Sequence, residues 1–218
     1  MSAIKSMKLY THVERIGNEL AELGRREGGP LDVEELSAFD QLHYHGTAAL
    51  DEALHGLAAS AEQRWLEIGS GIGGPARYLA HRGGVRVTAL ELQPDQDRLA
   101  SELTRRCNLE SKVEHVCGDF LDFDFGDQRF DAVVSWLALY HIPERKRLLQ
   151  KCHALLKSGG GFYTEDLCSL AAIDAAQLAD LGRDPSQGIE GDYFVLDLVL
   201  ARPEEHARAL PLSVLALD

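Results

Sequence analysis

The chain opens with apolar residues at helical spacing. Val13, Ile16, Leu20 and Leu23 recur every three or four positions, which predicts an amphipathic helix over about 8–23, closed by Gly24 and then Gly28-Gly29-Pro30. Asp32, with Glu35 three residues on, forms a capping-box-like pair for a second short helix. Residues 39–47 form a loop rich in aromatic and polar side chains. Thr47 is placed to cap a helix through Ala58, on which Leu50, Leu54 and Leu57 share a face. The pattern then changes. Trp65-Leu66-Glu67-Ile68 is a short, mostly apolar run suited to a buried parallel strand, followed by four glycines in the six residues 69–74. Pro75 suits the first turn of a helix backed by Ala76, Leu79 and Ala80. Strand, glycine turn and helix follow one another, the layout in which N–H groups at a helix start face a bound nucleotide.

That unit repeats in weaker form. Residues 85–92 are a β-branched run with Glu91 at its end, and Pro94-Asp95 opens a helix carried by Leu99 and Leu103 to Cys107. Residues 113–120 are a third strand closed by Gly118-Asp119, and 130–139 a fourth, apolar enough to be central. A helix over 143–156, with Leu148, Leu149, Leu155 and Leu156 inward, ends at the glycines of 159–161. A fifth strand starts at Phe162. Five alternations predict an α/β fold with a doubly wound, mainly parallel sheet and an N-terminal helical extension. Residues 1–46 read as the helical cap and 47–168 as the ligand-binding domain. Over 169–218 a helix at 174–181 and strands at 193–200 and 212–217 are expected to close the sheet. Glu67, Glu91, Asp119 and Ser135 fall at the carboxyl edge of the strands, where such sheets bind ligands.

Composition narrows the partners. The 218 residues carry a net charge of −13 and a sequence pI near 5.1, which speaks against a nucleic-acid footprint and for a small-molecule ligand. No stretch reaches the roughly 20 apolar residues of a membrane span. Cys107, Cys117, Cys152 and Cys168 lack metal-type spacing and read as reduced thiols of a cytoplasmic protein. His43, His45 and His55 have no Cys or carboxylate at a zinc-like spacing, so no metal is expected; loop 39–47 reads either as a cover over a ligand or as a solvated loop. Oligomeric state stays open.

Gly69, Gly71 and Gly74 satisfy Gly-x-Gly-x-x-Gly, a weak sign of a dinucleotide. Glu67 shifts the balance: a carboxylate just ahead of the first glycine would repel a pyrophosphate and welcome a cationic ligand, the lesser alternative being an acid that merely caps local backbone donors. Residues 67–73, Glu-x-Gly-x-Gly-x-Gly, resemble the first motif of the class I S-adenosylmethionine-dependent methyltransferases. Gly118-Asp119-Phe120 and the Leu156-Lys157-Ser158-Gly159-Gly160 turn resemble later ones. The resemblance covers roughly residues 40–168 and is nearest to small-molecule N-methyltransferases of the phosphoethanolamine and sarcosine/dimethylglycine type. It implies a Rossmann-like methyltransferase fold and S-adenosyl-L-methionine as cofactor, leaving as S-adenosyl-L-homocysteine. Tyr44, Glu67, Gly69, Gly71, Gly73, Glu91, Leu92, Gly118, Asp119, Phe120 and Ser135 would bind it. Glu91 would take the ribose hydroxyls, Asp119 the adenine amino group, and Phe120 would lie along the ring.

The reaction implied is in-line methyl transfer to a small acceptor, with a nitrogen nucleophile expected. His141 and Tyr44 are the catalytic candidates, and Trp136 and His141 the acceptor-binding ones. Trp136 is also read as core packing, and His141 as a loop anchor. The amine enzymes have an aspartate two residues after the serine; here that position is Leu137. This departure and an abbreviated C-terminal region leave a second reading open, a cofactor-binding protein with little turnover. A nicotinamide dehydrogenase is favoured only by the glycine spacing.

Overall fold

In the computed structural model, residues 15–26, 28–169 and 193–201 are described, with 167–169 and 193–201 through their backbone alone. Helices α1 (Arg15–Glu22), α2 (Val33–Leu36) and α3 (Gly46–Gly56) precede the sheet. Strand β1 (Arg64–Ile68) runs through the glycine turn into α4 (Gly74–Tyr78), which continues as a π-turn over Leu79–Gly83. Then come β2 (Arg86–Glu91), α5 (Pro94–Arg106), β3 (Val113–Cys117) and β4 (Phe130–Trp136). A 3₁₀ turn (Leu139–His141), α6 (Arg145–Leu155), β5 (Leu156–Ser169) and β6 (Tyr193–Ala201) follow.

The strands lie in the order β3-β2-β1-β4-β5-β6. The first five are parallel and β6 runs antiparallel to β5, which makes the sheet doubly wound and mainly parallel, as the alternation predicts. From β1 the chain crosses one way to β2 and β3 and later returns to place β4 on β1's other side. A crevice opens where the order reverses. Alternation along β1 feeds two cores. Trp65 joins Leu50, Ala53, Ala76 and Leu79 on one face of the sheet, while Leu66 and Ile68 join Leu148, Cys152 and Leu155 on the other. Ile16, Leu20 and Leu36 pack the N-terminal helices on Leu103 of α5 and Ile72 of the glycine turn.

Several local expectations change. Helix α3 starts at Gly46, with His45 as N-cap and no side-chain cap, so Thr47 lies inside the first turn. Asp32 does cap α2, its carboxylate accepting the Glu35 N–H at 3.0 Å. Leu149 of α6 is 42 % exposed, and Cys152 takes the inward place beside Leu148 and Leu155. Residues 157–160 form a bulge inside β5, since Phe130 pairs with Leu156 but Ala132 with Gly161. Lys157 closes it on the Asp131 carboxylate at 2.8 Å. The expected helix at 174–181 and strand at 212–217 lie outside the described residues. Among the described residues no helix is long and apolar enough to cross a membrane.

One buried ion pair fastens the N-terminal segment to this frame. Arg77 of α4 and Asp40, 0 and 1 % exposed, meet at 2.9 Å. Arg77 Nη1 also donates to the Ala100 carbonyl of α5 at 3.3 Å. Removing one partner leaves the other charge buried and alone, so Arg77→Ala should lower stability by about 3–5 kcal/mol. Urea denaturation measures it, and a loss under about 1 kcal/mol would show that solvent reaches Asp40.

Candidate active site

The crevice is lined from both sides of the switch point. Glu67, Ile68, Gly69, Ser70, Gly71, Ile72 and Pro75 supply one wall, and Leu90 to Gln93 with Gln96 the next. Gly118 to Leu121, Trp136 to Ala138, and His141 to Glu144 follow, with Asp40, Leu42 and His43 over the top. Gly69 sits in the left-handed region with φ 72°, and a Cβ there would lie 2.2 Å from that of Ala138. Only glycine lets the ends of β1 and β4 approach so closely. Gly74 has a different reason: its Cβ would fall 2.3 Å from the Asp40 carbonyl oxygen.

Two acids dominate the site. Glu91, at the tip of β2, accepts the Gly71 N–H at 2.9 Å and the Gln93 N–H at 2.8 Å, one on each carboxylate oxygen. Burial raises its pKa against these donors. Glu67 is 1 % exposed. Burial pushes its carboxyl up to about 8, Arg77 opposing the shift and Glu91 adding to it. Among the described residues its Oε2 has no hydrogen-bond partner. A buried carboxylate oxygen without a donor, at a crevice wall, is chemically incomplete.

On the third strand, Asp119 Oδ1 accepts the Leu121 N–H at 2.9 Å, shaping the turn that brings Gly118 to Leu121 into the wall. Phe120 lines the crevice while packing on Phe125 at 6.3 Å. On the β4 side, Leu137 has φ 50°, a costly conformation for a non-glycine residue and one found preferentially at functional sites. It turns the chain away from Trp136 into the 3₁₀ turn ending at His141. The Trp136 indole N–H and both His141 ring nitrogens are buried without hydrogen-bond partners among the described residues. Burial, with Arg145 adding to it, holds His141 below the usual imidazole range, so at neutral pH its ring is uncharged and keeps one lone pair.

The structure thus gathers Glu67, Gly69, Gly71, Glu91, Leu92, Gly118, Asp119, Phe120, Trp136 and His141 around one crevice. Three expected residues fall outside its lining. Gly73 caps α4 with φ 76° and faces His115, Arg77 and Ala100. Ser135 is fully buried and its hydroxyl donates to the Ile68 carbonyl at 2.9 Å, tying β4 to β1. The Tyr44 N–H is fixed on Glu165 at 3.0 Å, and its side chain is left 63 % exposed. Conversely Asp40, Leu42, His43 and Gln96 line the crevice, although none of them is among the residues expected to bind the ligand. The clustering of aromatic and polar residues at 39–47 was the signal for the first three.

Residues 66–164 match the family model of the methyltransferase domain. Over those residues the chain is similar to a methyltransferase domain. Glycine/sarcosine/dimethylglycine N-methyltransferase from Actinopolyspora halophila is 36% identical over 124 residues, covering 56% of this chain and 21% of the relative. 24-Methylenesterol C-methyltransferase 2 from Oryza sativa subsp. japonica is 35% identical over 104 residues, 48% of this chain and 29% of the relative. The chain therefore spans less than a third of either relative's length. Among solved structures, a Galdieria sulphuraria protein assigned as a sarcosine dimethylglycine methyltransferase superposes with a TM-score of 0.58. The match has 21% identity and covers 77% of this chain and 65% of that one. The architecture is thus the Rossmann-like methyltransferase fold.

Glu67 makes stability depend on pH in a defined direction. Its folded pKa of about 8 lies above that of an unfolded glutamate, near 4.3. As pH rises between those values the unfolded chain ionises while the folded one holds its proton. Stability is therefore lost at about 1.4 kcal/mol per pH unit at most. Glu67→Gln lacks this slope, so urea denaturation should show the variant gaining on the parent from pH 5 to pH 8. Parallel profiles would mean that Glu67 is solvated.

Proposed function

We propose that this chain binds S-adenosyl-L-methionine in the crevice and transfers its methyl group to a small-molecule acceptor through a nitrogen nucleophile. The observation that carries the reading is the unpartnered Oε2 of Glu67 beside the glycine turn, a position that an ammonium group completes. The remaining lining fits the same cofactor. Each Glu91 oxygen takes one backbone N–H and keeps a lone pair for a ribose hydroxyl. Leu92 and Phe120 offer apolar surface to an adenine, with Asp119 at its edge.

When bound, the cofactor supplies a sulfonium methyl that a nucleophile displaces in line. The chain's own residues align and enclose the reactants, a contribution of several kcal/mol. Leu42 and His43 cover the crevice and exclude water, and Trp136 and Leu137 form the wall that positions the acceptor. His141, uncharged and with a lone pair, is placed to take a proton from an acceptor that must lose one. Tyr44 contributes through its backbone, which anchors the cover.

Binding is tested first, by calorimetric titration of the protein with S-adenosyl-L-homocysteine and with NAD. S-adenosyl-L-homocysteine should bind and NAD should not; the reverse would return the glycine turn to a dinucleotide. Glu91→Ala, which removes a charged acceptor worth about 1.5–3 kcal/mol, should weaken S-adenosyl-L-homocysteine at least tenfold in a folded protein. A labelled-methyl screen over amine, carboxylate and phenol acceptors then identifies the substrate. With it in hand, His141→Ala should cut turnover by about 10²–10⁴-fold while cofactor affinity is kept. A joint fall of stability and cofactor affinity would make His141 part of the scaffold.

A further inference from the structure

The cover of the crevice is held by a chain of hydrogen bonds whose direction is fixed from one end. Arg77 can only donate, and it donates to Asp40 Oδ2 at 2.9 Å. The other oxygen, Asp40 Oδ1, can only accept from Gln41, whose Nε2 lies 2.7 Å away. This sets the Gln41 amide, so its Oε1 faces His43 Nε2 at 3.2 Å and must accept. On the far side of the imidazole, Nδ1 lies 3.3 and 3.4 Å from the two oxygens of Glu165 at the crevice end of β5. Glu165 has no proton to offer there. It already accepts the N–H groups of Tyr44 at 3.0 Å and His45 at 3.4 Å, and stands 3.2 Å from His45 Nδ1. Burial alone would raise the Glu165 carboxyl, but the hydrogen bonds from His43 and Tyr44 outweigh it and hold it below the usual range.

Both neighbours of the His43 ring are therefore acceptors. We infer that Gln41 and Glu165 hold His43 as a doubly protonated imidazolium that locks the cover over the crevice, leaving His141 as the histidine able to accept a proton. A neutral ring would set a bare nitrogen lone pair against an oxygen in a side chain that is only 1 % exposed. The charged and titratable groups set against this ring are Glu165 from β5, His45 from the cover itself and, through Gln41, the Asp40–Arg77 pair. The ring also faces Trp136 at 6.0 Å between centroids, so the locked cover forms part of the wall assigned to the acceptor. Glu165 reaches that wall twice, since its carbonyl accepts the Leu137 N–H at 2.8 Å on the other bank. It is a positioning residue: it touches neither reactant and sets two segments that do. The assignment of His141 rests on the proposed methyl transfer; the protonation of His43 does not.

The test uses the whole chain labelled with ¹⁵N at histidine, without ligand, at about pH 8. His43 should show two protonated ring nitrogens, and the signal, assigned by its loss in His43→Gln, should become that of a neutral ring in Glu165→Gln. Amide exchange at Tyr44 and His45 should accelerate at least tenfold in both variants. A neutral His43 in the parent protein overturns the inference, whether or not either variant folds. So does an imidazolium that survives Glu165→Gln, or exchange that does not change. S-adenosyl-L-homocysteine titration of the same samples reports separately on the proposed function: failure to bind with an imidazolium present would remove that reading and leave this one standing.

Discussion

The contact between Arg77 and Asp40 is the constraint on which the working surface depends. A guanidinium with no exposed area must be neutralised where it stands. Here it lies behind the glycine turn, within reach of α5. Asp40 answers from the N-terminal segment and so draws that segment across the turn, its carbonyl close enough that residue 74 can have no side chain. From Asp40 the chain continues directly into Leu42 and His43 over the crevice. The helical extension therefore helps to build the crevice, since its packing on Ile72 and Leu103 holds the segment that continues into Asp40, Leu42 and His43.

A second constraint is electrostatic. Glu67 and Glu91 lie at the ends of neighbouring strands in a crevice with low solvent access, where burial raises the cost of ionising both and Glu91 adds to that of Glu67. Glu91 is relieved by three backbone donors, from Gln93, Gly71 and Leu92, and Glu67 by the field of Arg77 together with one backbone donor, from Ala76. The pair is asymmetric for that reason. One carboxylate is settled on its backbone donors; the other keeps an oxygen without a hydrogen-bond partner among the described residues.

The features legible in the sequence are those whose physics is local. A buried strand, glycines and a proline-started helix declare themselves within 16 residues. Glu91 and Asp119 are found by counting to the ends of β-branched runs. Glu165 could not be found that way. Its meaning arises from partners 120–122 positions earlier in the chain, brought together by a parallel sheet and an N-terminal segment with no periodic relation between them. Tyr44 shows the converse. Its place in a conspicuous loop pointed to the ligand, yet the fold uses its backbone N–H and leaves the ring outside. Ser135 sits at the right strand end, but strand pairing sets its hydroxyl on the Ile68 carbonyl. Leu149 was misassigned by one helical position, because Cys152 completes the inward stripe with Leu148 and Leu155.

The unsatisfied oxygen of Glu67 has a kinetic consequence on the proposed reading. An ammonium group belongs to the methyl donor before transfer and to the spent homocysteine form after it, unchanged by the chemistry. Whatever affinity Glu67 supplies is the same on both sides of the reaction, so it raises occupancy without lowering the barrier. Such a grip retains spent cofactor as firmly as fresh. The rate at which a cell clears the by-product then becomes a control on the enzyme, exerted through a carboxylate about which the reaction itself is indifferent.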